Sequence, residues 1–175
     1  MTKILKKIAM SDIKTIKSAA LKELIDKTFP SNKRANGVTD SDYAYLDLEW
    51  VENDAYEGYK NWLSIFDFGR SVKNSDWKRN FDCEDLANSF KIYLRLLHAE
   101  ANPSTMMEEL SGKKNESSSE SVLVGTIFFN NSKSSAHSIN VFFDANDRPK
   151  FFEPMYGKFI NLTKDERESV WYVEF

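Results

Sequence analysis

The hydrophobic pattern changes character along the chain, and this change most constrains the fold. Residues 11–27, 56–66 and 82–100 place apolar side chains at helical spacing, whereas the last third of the chain contains short runs of β-branched and aromatic residues separated by turn signals. The predicted strands are residues 122–130, 137–144, 149–153 and 170–175. Residues 43–51 fit a strand or a helix, and we favour helix or irregular structure. Helices followed by consecutive hairpins predict an α+β fold with a C-terminal antiparallel sheet.

Composition excludes several classes of function. Only 6 glycines are present, and no glycine-rich phosphate-binding motif occurs. The formal net charge is −3, so no nucleic-acid-binding surface is expected. No apolar run reaches the roughly 18 residues that a membrane span requires. Lysines interrupt the N-terminal apolar residues, so we expect no secretory signal and a cytoplasmic protein. Nothing in the sequence indicates an oligomeric state.

The single cysteine is the first candidate for chemistry. Cys83 follows Asp82, a good helix N-cap, and Asp85 lies three residues further on, close to a capping-box pattern. At the first turn of a helix, the dipole and the free N–H groups favour a thiolate. Cys83 also begins the apolar stripe of its helix, so a plain core residue is the alternative interpretation. One cysteine excludes an internal disulfide and a cysteine-rich zinc site.

A histidine and a glutamate can complete a nucleophilic site. His137 begins a predicted strand, and Glu153 ends the next one. A hairpin loop centred near Ala145 places residue 137 opposite residue 153, and a register shifted by two keeps them diagonal neighbours. Glu153 can then accept from one imidazole nitrogen and leave the other for the Cys83 thiol. The alternatives are that His137 has only a structural role and that Glu153 is a solvated surface residue.

Three sequence blocks carry a resemblance to a known family. Residues 80–87 (NFDCEDLA), 137–144 (HSINVFFD) and 152–157 (FEPMYG) are similar to blocks of the papain-like C-terminal domain family of Marasmius oreades agglutinin and its bacterial and phage relatives. The resemblance spans about residues 76–160. It implies a papain-like fold, a Cys–His–Glu triad and calcium-dependent proteolysis, with Cys83 as nucleophile, His137 as base and Glu153 as orienting acid. We do not carry over the agglutinin's sugar binding, because no lectin repeats precede the matching blocks.

The combined interpretation is one papain-like domain over residues 1–175. Its helical N-terminal portion is residues 1–70, and its catalytic core is residues 76–175, in which the helix of the nucleophile packs on the sheet. We expect a cysteine hydrolase, a peptidase or a related thiol amidase or acyltransferase, that acts on a protein or peptide through a thioester. The indole N–H of Trp77 and the Cys83 backbone N–H are candidate oxyanion donors, and a core position is the alternative for Trp77. A non-catalytic binding or effector protein that retains the fold is the alternative function.

Calcium is the expected cofactor. Asp82, Glu84 and Asp85 surround Cys83 and oppose its ionisation, and a bound divalent cation would reverse the local field. Carboxylate oxygens suit Ca²⁺, and the resembling family is calcium-activated, with acidic residues that match Glu84 and Asp85. The alternative is that these acids only cap the helix and complement its dipole.

Overall fold

The fold consists of short N-terminal elements, one long helix and a C-terminal sheet. The computed structural model describes residues 14–31, 37–66, 81–101, 121–131 and 134–175. The helices are α1 (Ser18–Thr28), α2 (Leu48–Trp50), α3 (Tyr56–Ser64), α4 (Cys83–Ala101) and α5 (Lys164–Glu168), with a π-helical turn, Val51–Ala55, between α2 and α3. The strands are β1 (Thr15–Lys17), β2 (Asp42–Ala44), β3 (Ser121–Val122), β4 (Val124–Asn131), β5 (Ser134–Phe143), β6 (Pro149–Glu153), β7 (Lys158–Ile160) and β8 (Tyr172–Glu174). Within the described ranges, no helix is both long and apolar enough to cross a bilayer.

The strands form two sheets. The larger is five-stranded and antiparallel, in the order β7-β6-β5-β4-β8. The smaller has the order β1-β2-β3, with β1 antiparallel and β3 parallel to β2. The α+β class and the C-terminal antiparallel sheet therefore agree with the prediction.

Two apolar clusters cover the two faces of the larger sheet. Side chains on β5 alternate between them: Phe142 belongs to the cluster beneath α3 and α4, and Val141 to the cluster that includes α1. The first cluster is unusually aromatic, and the rings of Phe90 and Phe152 stack with centroids 5.0 Å apart. The sheet is thus the middle layer between helices, and the long helix α4 is held against one of its faces.

The N-terminal portion differs from the all-helical prediction. Residues 15–17 form β1 instead of the start of a helix, because Ile16 pairs with Tyr43 on β2. The segment 43–51 begins as a strand and becomes helical only at Leu48, where the Asp47 side chain accepts from the Glu49 and Trp50 backbone N–H groups. Strand pairing across the chain overrides the local helical pattern. The described part of the predicted helical portion 1–70 therefore contributes two strands as well as helices, and β2 also pairs with β3.

Candidate functional site

The start of α4 presents Cys83 at the surface of a cleft. Cys83 is the first residue of α4 and is half-buried. Asp82 caps the helix: its Oδ1 accepts from the Glu84 N–H at 3.1 Å, and its own N–H donates to Asp85 Oδ2 at 3.2 Å. The predicted capping pattern is therefore present. At this position, the Cys83 backbone N–H has no partner within the helix.

His137 and Glu153 form a direct pair on neighbouring strands. His137 Nε2 lies 2.6 Å from Glu153 Oε2, and both side chains are largely buried. The strands pair Asn140 with Phe152, so the register is shifted by two from the one that would place His137 opposite Glu153. The two residues are diagonal neighbours, which is the second of the two registers that keep them in contact.

The Glu153 carboxylate is held from both sides. Its Oε1 accepts from the Met155 backbone N–H at 3.0 Å, while Oε2 faces His137. The turn that follows is closed by the Gly157 N–H, which donates to the Glu153 carbonyl at 2.8 Å. Tyr56 on α3 supports the turn by donating to the Pro154 carbonyl at 2.7 Å. The acid that faces the imidazole is therefore fixed in position by the fold.

His137 joins the acid to the thiol. Burial alone would lower the pKa of His137, but hydrogen bonds to Cys83 and Glu153 and the negative charges of both raise it to about 9. Because Nε2 faces Glu153, Nδ1 is the ring atom left for Cys83. The ring of Phe129, which lies opposite on β4, packs edge-on at 5.6 Å between centroids. The structure thus brings Cys83, His137 and Glu153 together, with His137 between the thiol and the acid as predicted.

A buried amide, which the sequence reasoning did not assign, ties the cysteine helix to the histidine strand. Asn140 on β5 is fully buried, and its Nδ2 donates to the Ala87 carbonyl of α4 at 2.8 Å and to the Gly125 carbonyl of β4 at 3.3 Å. Beside it, Thr126 Oγ1 donates to Asn88 Oδ1 at 3.0 Å. An asparagine within an apolar strand was the available signal, because a buried amide requires partners.

The three residues line a cleft of about 580 Å³. One part of the wall is apolar and contains Phe129, Ala136, Met155, Tyr156, Ile160 and Leu162. The polar part contains Asp82, Asn131, Asn161 and Glu166, besides Cys83, His137 and Glu153. The cleft therefore offers a nucleophile beside an apolar surface and several acidic groups.

Glu84 and Asp85, the predicted calcium ligands, do not line the cleft. Glu84 and Asp85 are exposed on the first turn of α4, where Asp85 takes part in the cap. In the described part of the chain, no three His, Cys, Asp or Glu side chains are grouped so that they could hold a metal ion. The capping interpretation accounts for the contact that Asp85 makes. Trp77 lies outside the described residues.

Comparison with known proteins relates the chain to lectin structures. The sequence matches no protein-family profile and no curated protein. A structure of Polyporus squamosus lectin, bound to the human-type influenza-binding epitope Neu5Acα2-6Galβ1-4GlcNAc, superposes with a TM-score of 0.60 at 16% identity. The chain shares its fold with half of that lectin. The match covers 92% of this chain and 49% of the lectin chain. PSL1a in complex with E64 matches with the same TM-score and identity, over 51% of its chain.

These matches correct the predicted classification. The chain was expected to be a papain-like hydrolase of the calcium-dependent cysteine (thiol) protease class. The comparisons contradict that classification, because the chain shares its fold with a structure of Polyporus squamosus lectin. One fold carries unrelated functions, so function has to be argued from the site.

Proposed function

We propose that the Cys83 cleft performs thiol-dependent acyl transfer, in which Cys83 is the nucleophile, His137 the acid–base group and Glu153 the orienting acid. The observation that carries the proposal is the 2.6 Å pair of His137 Nε2 and Glu153 Oε2, in a cleft that Cys83 also lines, with Cys83 close enough to raise the pKa of the same imidazole. A nucleophile, a base and a group that orients the base are the three parts of such a site.

In the first half of the proposed reaction, each group has one role. His137 takes the Cys83 proton. The interactions with Glu153 and Cys83 that raise the pKa of His137 stabilise the resulting imidazolium. Sγ forms a bond to the carbonyl carbon of the acyl donor, and the bond to the leaving group breaks. The leaving group takes the proton from His137, which leaves a thioester on Cys83. The Cys83 N–H, which has no partner within the helix, is the proposed donor to the developing oxyanion.

The second half restores the free thiol. An acceptor nucleophile gives its proton to His137 and forms a bond to the acyl carbon, and the bond from that carbon to Sγ breaks. The proton returns from His137 to Sγ, so the site ends as it began. The apolar wall of the cleft lies beside the reacting atoms and offers a surface for the acyl group.

One of the matching structures adds support for a thiol-reactive site. PSL1a is in complex with E64. E64 is an epoxysuccinyl compound, and epoxides alkylate thiolates. A ligand of this chemistry fits a cleft in which a cysteine faces an imidazole, and it supplies a direct probe for the present chain.

The test is formation of a covalent acyl intermediate at Cys83. We expect p-nitrophenyl esters to give a burst of p-nitrophenol and a mass increase on the peptide that contains Cys83, and we expect E64 to prevent both. Cys83→Ala is the negative variant. Asp165→Asn is a matched control, because Asp165 is exposed on α5 and does not line the cleft. The absence of a burst and of an E64 adduct in the folded protein would contradict the proposal.

A second candidate function is non-catalytic glycan binding. The observation that favours it is the fold shared with a lectin described as bound to a sialylated trisaccharide. The chain spans about half of that lectin, so the sugar is a candidate ligand only. Calorimetry with Neu5Acα2-6Galβ1-4GlcNAc and with Galβ1-4GlcNAc tests it. Binding that is retained in Cys83→Ala, without any acyl intermediate in the wild type, would favour this function over acyl transfer.

A further inference from the structure

We propose that Glu166 makes the Cys83 cleft selective for ligands that carry a positive charge, so that the preferred acyl donor bears a lysine- or arginine-like side chain. This inference rests on the acyl-transfer function for the identity of the ligand as an acyl donor. The charge preference can be tested without any acyl transfer, because the test requires only that small thiol reagents reach Cys83.

Glu166 is a fixed carboxylate in the cleft wall. It belongs to α5 and closes a capping box: its Oε2 accepts from the Thr163 N–H and from Thr163 Oγ1, each at 2.9 Å. The Glu166 N–H donates back to Thr163 Oγ1 at 3.2 Å. No other described residue donates a hydrogen bond to Oε1, which leaves that oxygen for a ligand. A carboxylate held in this way loses little conformational entropy on binding a cation.

The net charge of the cleft is negative. Among the described lining residues, His137 is the only one that can carry a positive charge, and Glu153 is its partner. Asp82 and Glu166 add two further negative charges. A cleft lined by one sign of charge, with apolar walls, concentrates ions of the opposite sign. An anionic ligand group, such as the carboxylate of sialic acid, is disfavoured here for the same reason.

The cleft that contains the Glu166 carboxylate also offers apolar surface for the stem of a long basic side chain. Ile160 and Leu162 lie in the same wall, shortly before Glu166 in the chain. Lysine and arginine side chains bury their methylene stems on apolar surface and keep the charged end at a polar group. A cleft that combines apolar surface with a carboxylate is the complement of such a side chain. The side chain of an aspartate or glutamate would instead be repelled by Glu166.

The test measures how fast Cys83 reacts with small thiol reagents of different charge, which does not depend on turnover. Two methanethiosulfonates serve as probes, one with a trimethylammonium group and one with a sulfonate group, and intact mass reports the adduct. We expect the wild type to react faster with the cationic reagent. In Glu166→Gln, we expect the ratio of the two rates to fall about fivefold, the size expected of one partly solvated charge. Glutamine retains the capping box, so this variant removes only the charge.

Glu168→Gln is the matched control, because Glu168 lies on the same helix but does not line the cleft. The ratio of the two labelling rates in Glu168→Gln should equal that of the wild type. Equal rates with both reagents in the wild type, or the same ratio in Glu166→Gln as in the wild type, would overturn the inference. Thermal melting of each variant checks that the fold is retained.

A second measurement connects the charge preference with acyl transfer. The p-nitrophenyl esters of lysine, norleucine and glutamate differ mainly in charge, and we expect burst rates in that order, with the advantage of lysine over norleucine reduced in Glu166→Gln. Bursts of equal rate with all three esters would leave acyl transfer standing and overturn the selectivity. A cationic preference in thiol labelling without any burst would support the charge selectivity and contradict acyl transfer.

Discussion

His137 Nε2 and Glu153 Oε2 lie 2.6 Å apart although their strands pair Asn140 with Phe152, so the contact is diagonal across two antiparallel strands. This geometry has a consequence for the thiol. The imidazole presents one nitrogen to the acid and the other to Cys83, which stands on a different element. Three separate segments of chain therefore have to be held in place for the site to exist.

The first prediction concerns the nucleophile and the base. Cys83→Ala and His137→Ala should each lower the rate of acyl-enzyme formation by at least about a thousandfold, because the two groups act as a unit. Burst kinetics with a p-nitrophenyl ester measures the effect, and circular dichroism verifies the fold. A rate within tenfold of the wild type in either variant would exclude the assigned roles.

The second prediction concerns the acid. Glu153→Gln should lower the pKa of His137 from about 9, because the amide can accept a hydrogen bond but carries no charge to stabilise the imidazolium. Acyl transfer should be reduced but not abolished. NMR titration of the imidazole measures the shift, with Glu168→Gln as the control. An unchanged His137 titration would show that the Glu153 charge does not act on the ring.

The third prediction is a pH dependence of stability. The pKa of His137 is about 9 in the folded protein and 6.5 for the unperturbed group. The protonated form of His137 therefore favours the folded state over the unfolded state. That contribution is complete below about pH 6.5 and is lost as the pH rises through about 9. The free energy of unfolding should therefore fall more between about pH 6 and about pH 9.5 in the wild type than in Glu153→Gln. Equal losses in urea denaturation of the two proteins would contradict this.

The fourth prediction concerns the buried amide. Asn140→Ala should lower the free energy of unfolding by about 2–4 kcal/mol, because it removes two hydrogen bonds and leaves the Ala87 carbonyl of α4 without the amide donor. It should also slow Cys83 labelling at neutral pH, since α4 and β5 lose a shared contact. The exposed Asn146→Ala is the matched control. A stability change no larger than that of the control would show that the Asn140 hydrogen bonds do not stabilise the contact between α4 and β5.

The fifth prediction concerns the turn that carries Glu153. Gly157 has φ +66°, and a Cβ there would lie 1.9 Å from a Tyr56 ring carbon. Gly157→Ala should therefore destabilise the fold by at least about 2 kcal/mol, from left-handed strain together with the overlap. Gly37→Ala is a milder comparison, because its Cβ would lie 2.7 Å from Glu174 Cγ instead of 1.9 Å from an aromatic ring, and Gly37 does not have a positive φ. Thermal melting compares the two, and equal effects would contradict the argument.

Local patterns predicted the elements around the site well. The helical stripe and the Asp82 cap located α4 to within a residue of its observed ends, because capping and periodicity are properties of neighbouring residues. The bounds predicted for β6 match the observed strand. The same reasoning failed at Thr15–Lys17, which joins a strand through pairing with residues far along the chain.

The sequence by itself determined the α+β order, the helix that begins at Cys83 and the pair of strands that carry His137 and Glu153, since each depends on periodicity, caps and turn residues close together in the chain. Only the tertiary structure decided the strand register, the Asn140 contact between helix and strand, and the position of Glu166 in the cleft wall. These depend on side-chain packing between distant segments, which one-dimensional spacing does not encode: a hairpin pattern permits several registers, and the packed core selects one.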